Sequence, residues 1–258
     1  MTGLRKRLLT GIAVLASAGA ANATVITQQI TVGGGTPTVT TDLSSTAFNN
    51  SVSLFNAAGI AAANPGSSLV FNSVSLSLNT QFNTVGTVKN NGAQAQNFKL
   101  DLQLESFIGA GAQTGGAAAQ NLVVTYFGLG GAGDVSQDFG QVTYIGLGSG
   151  QTAAYPLAGS TTIQASPFET LTSAGSLAAF TGNGNFALNL STITGQTFVG
   201  GSGNIIASLS THAGGTFTVA YDYTLTALPP LAVPEPASIA LLGAGLLGAG
   251  LIRRLRAK

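Results

Sequence analysis

From Thr216 to Thr226 the chain alternates, with Phe217, Val219, Tyr221, Tyr223 and Leu225 separated by Thr216, Thr218, Ala220, Asp222, Thr224 and Thr226. In an extended strand, successive side chains point to opposite faces, so this pattern buries one face and wets the other. A helix would scatter the same apolar residues around its axis. Leu100, Leu102 and Leu104 repeat the pattern against Lys99, Asp101, Gln103 and Glu105, as do Val74, Leu76 and Leu78 against Ser73, Ser75 and Ser77. Asn121–Phe127 and Gln141–Leu147 read as more deeply buried strands. Asn90-Asn91-Gly92, Gly182-Asn183-Gly184 and Gly200-Gly201-Ser202-Gly203 supply turns, because Gly and Asn adopt positive φ at low cost.

Half-buried strands at this spacing, without a long amphipathic helical period, predict an all-β fold, an antiparallel β-sandwich over residues 24–227. Ala57–Ala63 is the one candidate for a short helix in this body, and Gly109–Ala119 reads as a low-complexity loop. Residues 228–233, with Pro229 and Pro230, form a Pro-rich spacer.

The two ends differ from the body. Residues 1–23 have the parts of a secretory signal helix: Arg5-Lys6-Arg7, the apolar stretch Leu8–Ala18, and small residues Ala21 and Ala23 at the positions read by a signal peptidase. Cleavage after Ala23 leaves Thr24 first. At the other end, Ala237–Ile252 carries no charge and is followed by Arg253, Arg254, Arg256 and Lys258. At ~1.5 Å per residue this stretch spans about 24 Å, which a thinned bilayer and upward-reaching arginines accommodate as a single C-terminal transmembrane helix. The basic tail belongs on the cytoplasmic side, so the body lies outside. Both ends predict export through the inner membrane, using the secretion machinery and signal peptidase.

Charge is concentrated at those ends. Between them only Lys89 and Lys99 face Asp42, Asp101, Glu105, Asp134, Asp138, Glu169 and Asp222, leaving the body at about −5. A phosphate-backbone binder needs clustered Lys and Arg, so nucleic acid is excluded as a partner. The sequence has no cysteine, which removes disulfides, thiolate metal sites and a thiol nucleophile.

Residues with chemical potential are few. His212 is the only histidine and reads as a turn residue ahead of the last strand, without a Gly-x-Ser-x-Gly elbow. Asp134 and Asp138 are the close acidic pair of a Gly-rich loop, where calcium would take oxygen ligands, but the EF-hand spacing is missing. Asp101 and Glu105 fall on one strand face, whereas glycosidase carboxylates oppose each other across a cleft. No catalytic residue, metal site or cofactor is assigned. Tyr126, Tyr144 and Tyr155 are the candidates for exposed aromatics, while Tyr221 and Tyr223 share a face with Phe217 and Val219 and belong to the core.

Val233-Pro234-Glu235-Pro236, the apolar stretch Ala237–Ile252 and the terminal arginine cluster together resemble the PEP-CTERM sorting signal, over residues 234–258 with Val233 preceding. That resemblance implies an exosortase as partner. It also implies transient anchoring in the inner membrane, then delivery to the cell surface or extracellular matrix of a Gram-negative bacterium, in systems that occur beside exopolysaccharide synthesis. Ile26-Thr27-Gln28-Gln29, Ser53-Leu54-Phe55-Asn56, Leu69–Leu78 and Phe217–Leu225 resemble the choice-of-anchor E domains, which implies a β-sandwich with no known catalytic residue. The expectation is a non-enzymatic structural or interaction protein of the surface, biofilm or exopolysaccharide matrix. A polysaccharide-binding module is the second reading, favoured if tyrosines are exposed on one face. An extracellular hydrolase is the third.

Overall fold

The alternation at Thr216–Thr226 proves to be the end of a 23-residue strand. The computed structural model describes residues 21–41, 45–156, 161–201 and 203–228 together with Ala244. Residues 1–20, on which the predicted signal helix falls, residues 229–233 of the predicted spacer and, apart from Ala244, residues 234–258 lie outside the described residues. The strands are β1 (Asn22–Val32), β2 (Val39–Thr40), β3 (Ser45–Ala47), β4 (Val52–Ser53), β5 (Ser67–Asn90), β6 (Gln96–Thr114), β7 (Val135–Leu147), β8 (Thr152–Tyr155), β9 (Thr161–Ala165), β10 (Phe168–Leu171), β11 (Asn185–Gly200) and β12 (Ile205–Ala227). Among the described residues, three short α-helices and a 3-10 turn at Gly33–Gly35 interrupt them: α1 (Ala57–Ala63), α2 (Ala117–Phe127) and α3 (Ala174–Ala179).

The named strands pair antiparallel, in two sheets, with isolated parallel bridges at Phe55–Thr181 and Gly115–Asn185. In the first, β12 lies between β1 and β5, β2 joins β12 beyond β1, and β8, β9 and β10 lie in turn along the far side of β5. In the second, β11 lies between β6 on one side and the short β3 and β4 on the other, and β7 flanks β6. The inward faces of both sheets meet in one cluster that includes Leu76 and Leu78 of β5, Leu104 and Ile108 of β6, Leu188 and Leu190 of β11, and Phe217 and Val219 of β12. The alternating residues that predicted strands therefore supply the shared core, and each of these eight side chains is fully buried.

A second, smaller cluster sits toward the other end, built on Val88, Phe98, Leu100, Leu102, Tyr144 and Tyr155. Between the two clusters the inward positions turn polar. The hydroxyls of Thr84 and Thr211 pair at 3.0 Å within the first sheet, and Thr211 pairs at 2.8 Å with Thr194 of the second, so the hydroxyl chain crosses from one sheet to the other. A buried hydroxyl is costly unless partnered, and here threonines partner each other across the layers. Asn90, also buried, closes the predicted turn: its Nδ2 donates to Gln94 O and Leu147 O, and its Oδ1 accepts from Gly92 N, each at 2.8 Å.

Four local expectations are corrected. Asn121–Phe127 is helix, the latter part of α2. Ala119, Gln120, Val123 and Phe127 form its buried stripe, a helical spacing that the apolar run Leu122-Val123-Val124 disguised. Gln120 Nε2 donates to Gly111 O (2.9 Å) and Ala187 O (2.8 Å), tying the helix to β6 and β11. Gly109–Ala119 is not a loop, because β6 runs to Thr114 and α2 begins at Ala117. Gly111 is there for space: a Cβ would come within 3.0 Å of the Ala187 backbone. Gln141–Leu147 is strand, but it is a sheet edge in which Tyr144 alone is buried and Ile145 is 83% exposed.

His212 lies within β12 rather than in a turn ahead of it, opposite Thr40 on one side and Asn83 on the other. Gly214 and Gly215 made this stretch read as a turn. Their role is close approach, since a Cβ on Gly214 would collide with the Thr36 carbonyl and one on Gly215 would press on Thr80 and the Asn79 carbonyl. The predicted helix Ala57–Ala63 is present as α1, capped by Asn56 Oδ1 accepting from Gly59 N.

Candidate functional site

The tyrosines expected as exposed aromatics are mostly internal. Tyr144 is 3% exposed, stacks on Phe98 with centroids 4.9 Å apart, and donates its hydroxyl to Ala154 O at 3.1 Å. Tyr155 is 2% exposed; burial first, then the nearby Tyr144, Asp101 and Asp138, push its hydroxyl up to about 12. Tyr155 follows Thr152-Ala153-Ala154, small and polar neighbours without apolar alternation, whereas Tyr144 stands in Gln141–Leu147, the stretch that itself read as a buried strand. Tyr221 and Tyr223 are core as expected, and Tyr221 donates to Ser53 O at 2.8 Å.

Tyr126 alone of the three stays partly open. Its hydroxyl donates to Phe168 O at 2.9 Å, and desolvation followed by the Glu169 carboxylate holds it above its ordinary value. Beside it a pocket of about 300 Å³ runs between α2 and β10, walled by Leu76, Leu122, Ala132 and Leu171 with Glu169 and Tyr126 on its margin.

The acidic residues regroup. Asp134 and Asp138 do not act together: Asp134 Oδ2 accepts from Gly130 N (2.9 Å) and Asp138 Oδ1 from Gly140 N (2.6 Å), each anchoring its own turn. Asp138 is within β7 rather than in a loop. Among the described residues no three His, Asp or Glu side chains gather in a metal-holding group. The carboxylate that Asp134 meets is Glu105, brought over by the pairing of β6 with β7 in which Glu105 is opposite Ser136. A hydrogen bond to Asp134, then slight burial, then the Asp134 charge hold the Glu105 carboxyl above the usual range. Asp134 Oδ1 is buried without a hydrogen-bond partner among the described residues, and Glu105 is the carboxyl brought beside Asp134. Asp101 shares the outward face of β6 with Glu105, as its four-residue spacing predicted.

Because the folded value of Glu105 lies above its unfolded value, this bond stabilises fully below the ordinary carboxylate range and is lost as pH rises through the raised value. Glu105→Gln keeps a donor for Asp134 and removes the second charge. The variant is expected to melt slightly above wild type near about pH 7, by well under ~1 kcal/mol after solvent screening, with the gap closing near about pH 4. Thermal melts at both pH values check this; a variant less stable at neutral pH would contradict it.

Three stretches far apart in sequence converge on β12. Ile26-Thr27-Gln28-Gln29 pairs with Thr218–Tyr221, and Leu69–Leu78 pairs with the other side of the same strand. Gln28 and Ser53 exchange two hydrogen bonds, Nε2 to Ser53 O (2.8 Å) and Ser53 N to Oε1 (2.9 Å). Phe55 stacks on Phe71 at 4.2 Å and contacts Tyr221 and Tyr223.

At the N-terminal end, Ala21 precedes β1, and Ala23 is its second residue, opposite Thr224. Cleavage after Ala23 would leave the pairs from Thr24 with Tyr223 to Val32 with Gly215.

Residues 232–256 match the family model of the PEP-CTERM protein-sorting motif. This signal marks an exosortase-sorted exported protein and implies secretion with a transient C-terminal membrane anchor. Val233, Pro234, Glu235 and Pro236, the stretch Ala237–Ile252 and Arg253, Arg254 and Arg256 fall within the match. No curated protein matches the chain. Among solved structures it is similar to the infectious bursal disease virus VP2 subviral particle, at 10% identity and a TM-score of 0.22. That match covers 89% of this chain and 43% of that one. It is also similar to the Macrobrachium rosenbergii nodavirus, at 13% identity and a TM-score of 0.18, covering 90% and 61%. The chain thus spans less than half the length of VP2, and likenesses at these scores carry no argument.

Proposed function

We propose that this chain is a structural or interaction protein with a β-sandwich body, delivered by an exosortase to the surface or extracellular matrix of a Gram-negative bacterium. The observation that carries the reading is the sorting signal at residues 232–256. The likeness to choice-of-anchor E domains supports it, since the residues concerned form one connected region around β12. The body is proposed to be non-enzymatic: the single histidine stands within a strand, Asp134 and Asp138 each accept from a backbone amide of their own stretch, and Glu105 meets Asp134 instead of working with Asp101. Association with exopolysaccharide or biofilm follows from the company such sorting systems keep. Burial of Tyr144 and Tyr155 removes two of the three aromatics on which a polysaccharide-binding platform would have rested.

The test is a C-terminal epitope tag on the full chain in a host that has the sorting enzyme, with fractionation and intact-mass measurement. The exported molecules are expected to begin at Thr24 and to have lost the tag. A tag retained on every exported molecule would make the anchor permanent and overturn the sorting reading, and an N-terminus still carrying Arg5 would overturn signal cleavage.

A further inference from the structure

Each sheet has one side on which the covering strands stop short. β12 pairs with β5 from Ile205 to Ala227, but on its other side β1 reaches only Gly215 and β2 only His212. β11 pairs with β6 through to Gly200, but among the described residues its other side is met only at Asn185, Phe186 and Leu188–Ser191. Among the described residues no strand pairs with the outer side of β11 from Thr192 to Gly200, or of β12 from Ile205 to Ser210. Thr41 shows that these edges adjoin. Its N–H donates to Thr211 O (3.2 Å) and its hydroxyl pairs with that of Thr192 (2.8 Å), so both sheets open on the same side and at the same level. Between the edges, Phe198, Ile205, Ala207 and Leu209 pack on the second core cluster yet remain partly open.

A sheet edge offers unpaired N–H and C=O groups to any added strand, and proteins normally blunt it with charge, proline, breaks or cover. The other edges here are treated that way. β1 is tied to the chain beyond β3 through Asn49 N to Thr31 O and the Gln28–Ser53 exchange. The far side of β5 is covered in three short pieces with Pro156 and Pro167 between them. β7 carries register shifts against β6 and the acidic Asp138. Thr192–Gly200 and Ile205–Ser210 have no charged residue and no proline, and they expose Val199 (53%) and Ile206 (54%).

We infer that two copies of this chain associate edge to edge, β11 antiparallel to β11 and β12 antiparallel to β12 of the second copy. A single extended peptide would satisfy one edge and leave the other open. A second copy related by a twofold axis normal to the sheets presents both edges at the same separation, and the absence of charge on them spares two acidic bodies a repulsive contact. The inference rests on the surface-structural reading for its setting outside the cell.

The cysteine-free sequence provides the test. Single cysteines are placed in turn at positions 193–199 of the full chain, with Gln103→Cys on the exposed face of β6 as control, and the exported protein is oxidised. In antiparallel pairing about a twofold axis one residue faces its own copy, at a separation a disulfide spans. At least one edge position is expected to give a linked dimer and Gln103→Cys none. In sedimentation, Val199→Lys with Ile206→Lys is expected to weaken self-association by roughly tenfold or more, with circular dichroism unchanged because both side chains are already half exposed. A wild-type monomer at all concentrations, equal linking at Gln103→Cys, or edge cysteines shielded from maleimide within a monomer by another partner or by the chain itself would overturn it. Loss of the C-terminal tag is scored separately, so failure of sorting and failure of pairing are distinguishable.

Discussion

Phe217→Ala is expected to destabilise the body by about 3–5 kcal/mol, the range for truncating a large buried aromatic whose cavity cannot collapse. The ring is fully buried and meets Phe127 edge-on, with centroids 5.6 Å apart at 89°, and Phe48 at 6.5 Å. It therefore joins β12 to α2 and to the chain after β3, three parts far apart in sequence. Neither sheet alone could close over the hole. Ile145→Ala is the control, since that side chain is 83% exposed and its loss is expected to stay within about 0.5 kcal/mol. Denaturant midpoints for both variants, measured on the cleaved body, check the difference. Equal midpoints would mean that the two sheets do not share one core around Phe217.

Glu235→Gln is expected to leave the Arg253–Lys258 tail attached to most exported molecules while the protein still reaches the membrane. Proline fixes its own φ and biases the preceding residue away from helix. Val233-Pro234-Glu235-Pro236 is thereby predicted to present Glu235 as an isolated anion on an extended segment ahead of the apolar stretch. The charge would favour the start of a helix and would also give a processing enzyme one defined point of recognition. The substitution separates these roles, because an uncharged amide of the same shape leaves insertion to the apolar residues. Removing Arg253, Arg254 and Arg256 together is expected to act differently, disturbing retention and orientation through the loss of the cytoplasmic charge. A C-terminal tag followed through membrane fractionation reads both. Normal tail removal from Glu235→Gln would show that the carboxylate is not the point recognised.

How much was legible before the fold was known depended on whether the signal was local. The inward leucines of β6 and the aromatics of β12 announce themselves by a period of two, and each is buried where the alternation placed it. Asn90-Asn91-Gly92 and Asn56 before α1 are likewise short-range chemistry, an amide side chain bonding to backbone a few residues away. The sorting signal is local in the same sense, which is why residue order alone revealed it. Where a stretch fits two periodicities, local pattern failed. Leu122-Val123-Val124 suits a buried strand as well as a helix, and the choice was made by Gln120 reaching Gly111 and Ala187 on neighbouring strands. Gly214-Gly215 looks like a turn until Thr36 is seen packed against it.

The amino-acid sequence by itself determined the β character, the faces of the principal strands, the charge segregated to the ends and the sorting address. Each depends on neighbours within a few residues, or on composition that export and sorting machinery reads from an extended chain. Only the tertiary structure decided which carboxylate Asp134 would meet, that Tyr144 and Tyr155 would be covered, and that β11 and β12 would open side by side at Thr41. Those outcomes depend on strand register and on the stacking of two sheets, which bring residues such as Thr41 and Thr192, 151 positions apart, within a hydrogen bond of each other. Pairing of that range is a property of the whole packed core, and no single stretch of the chain carries it.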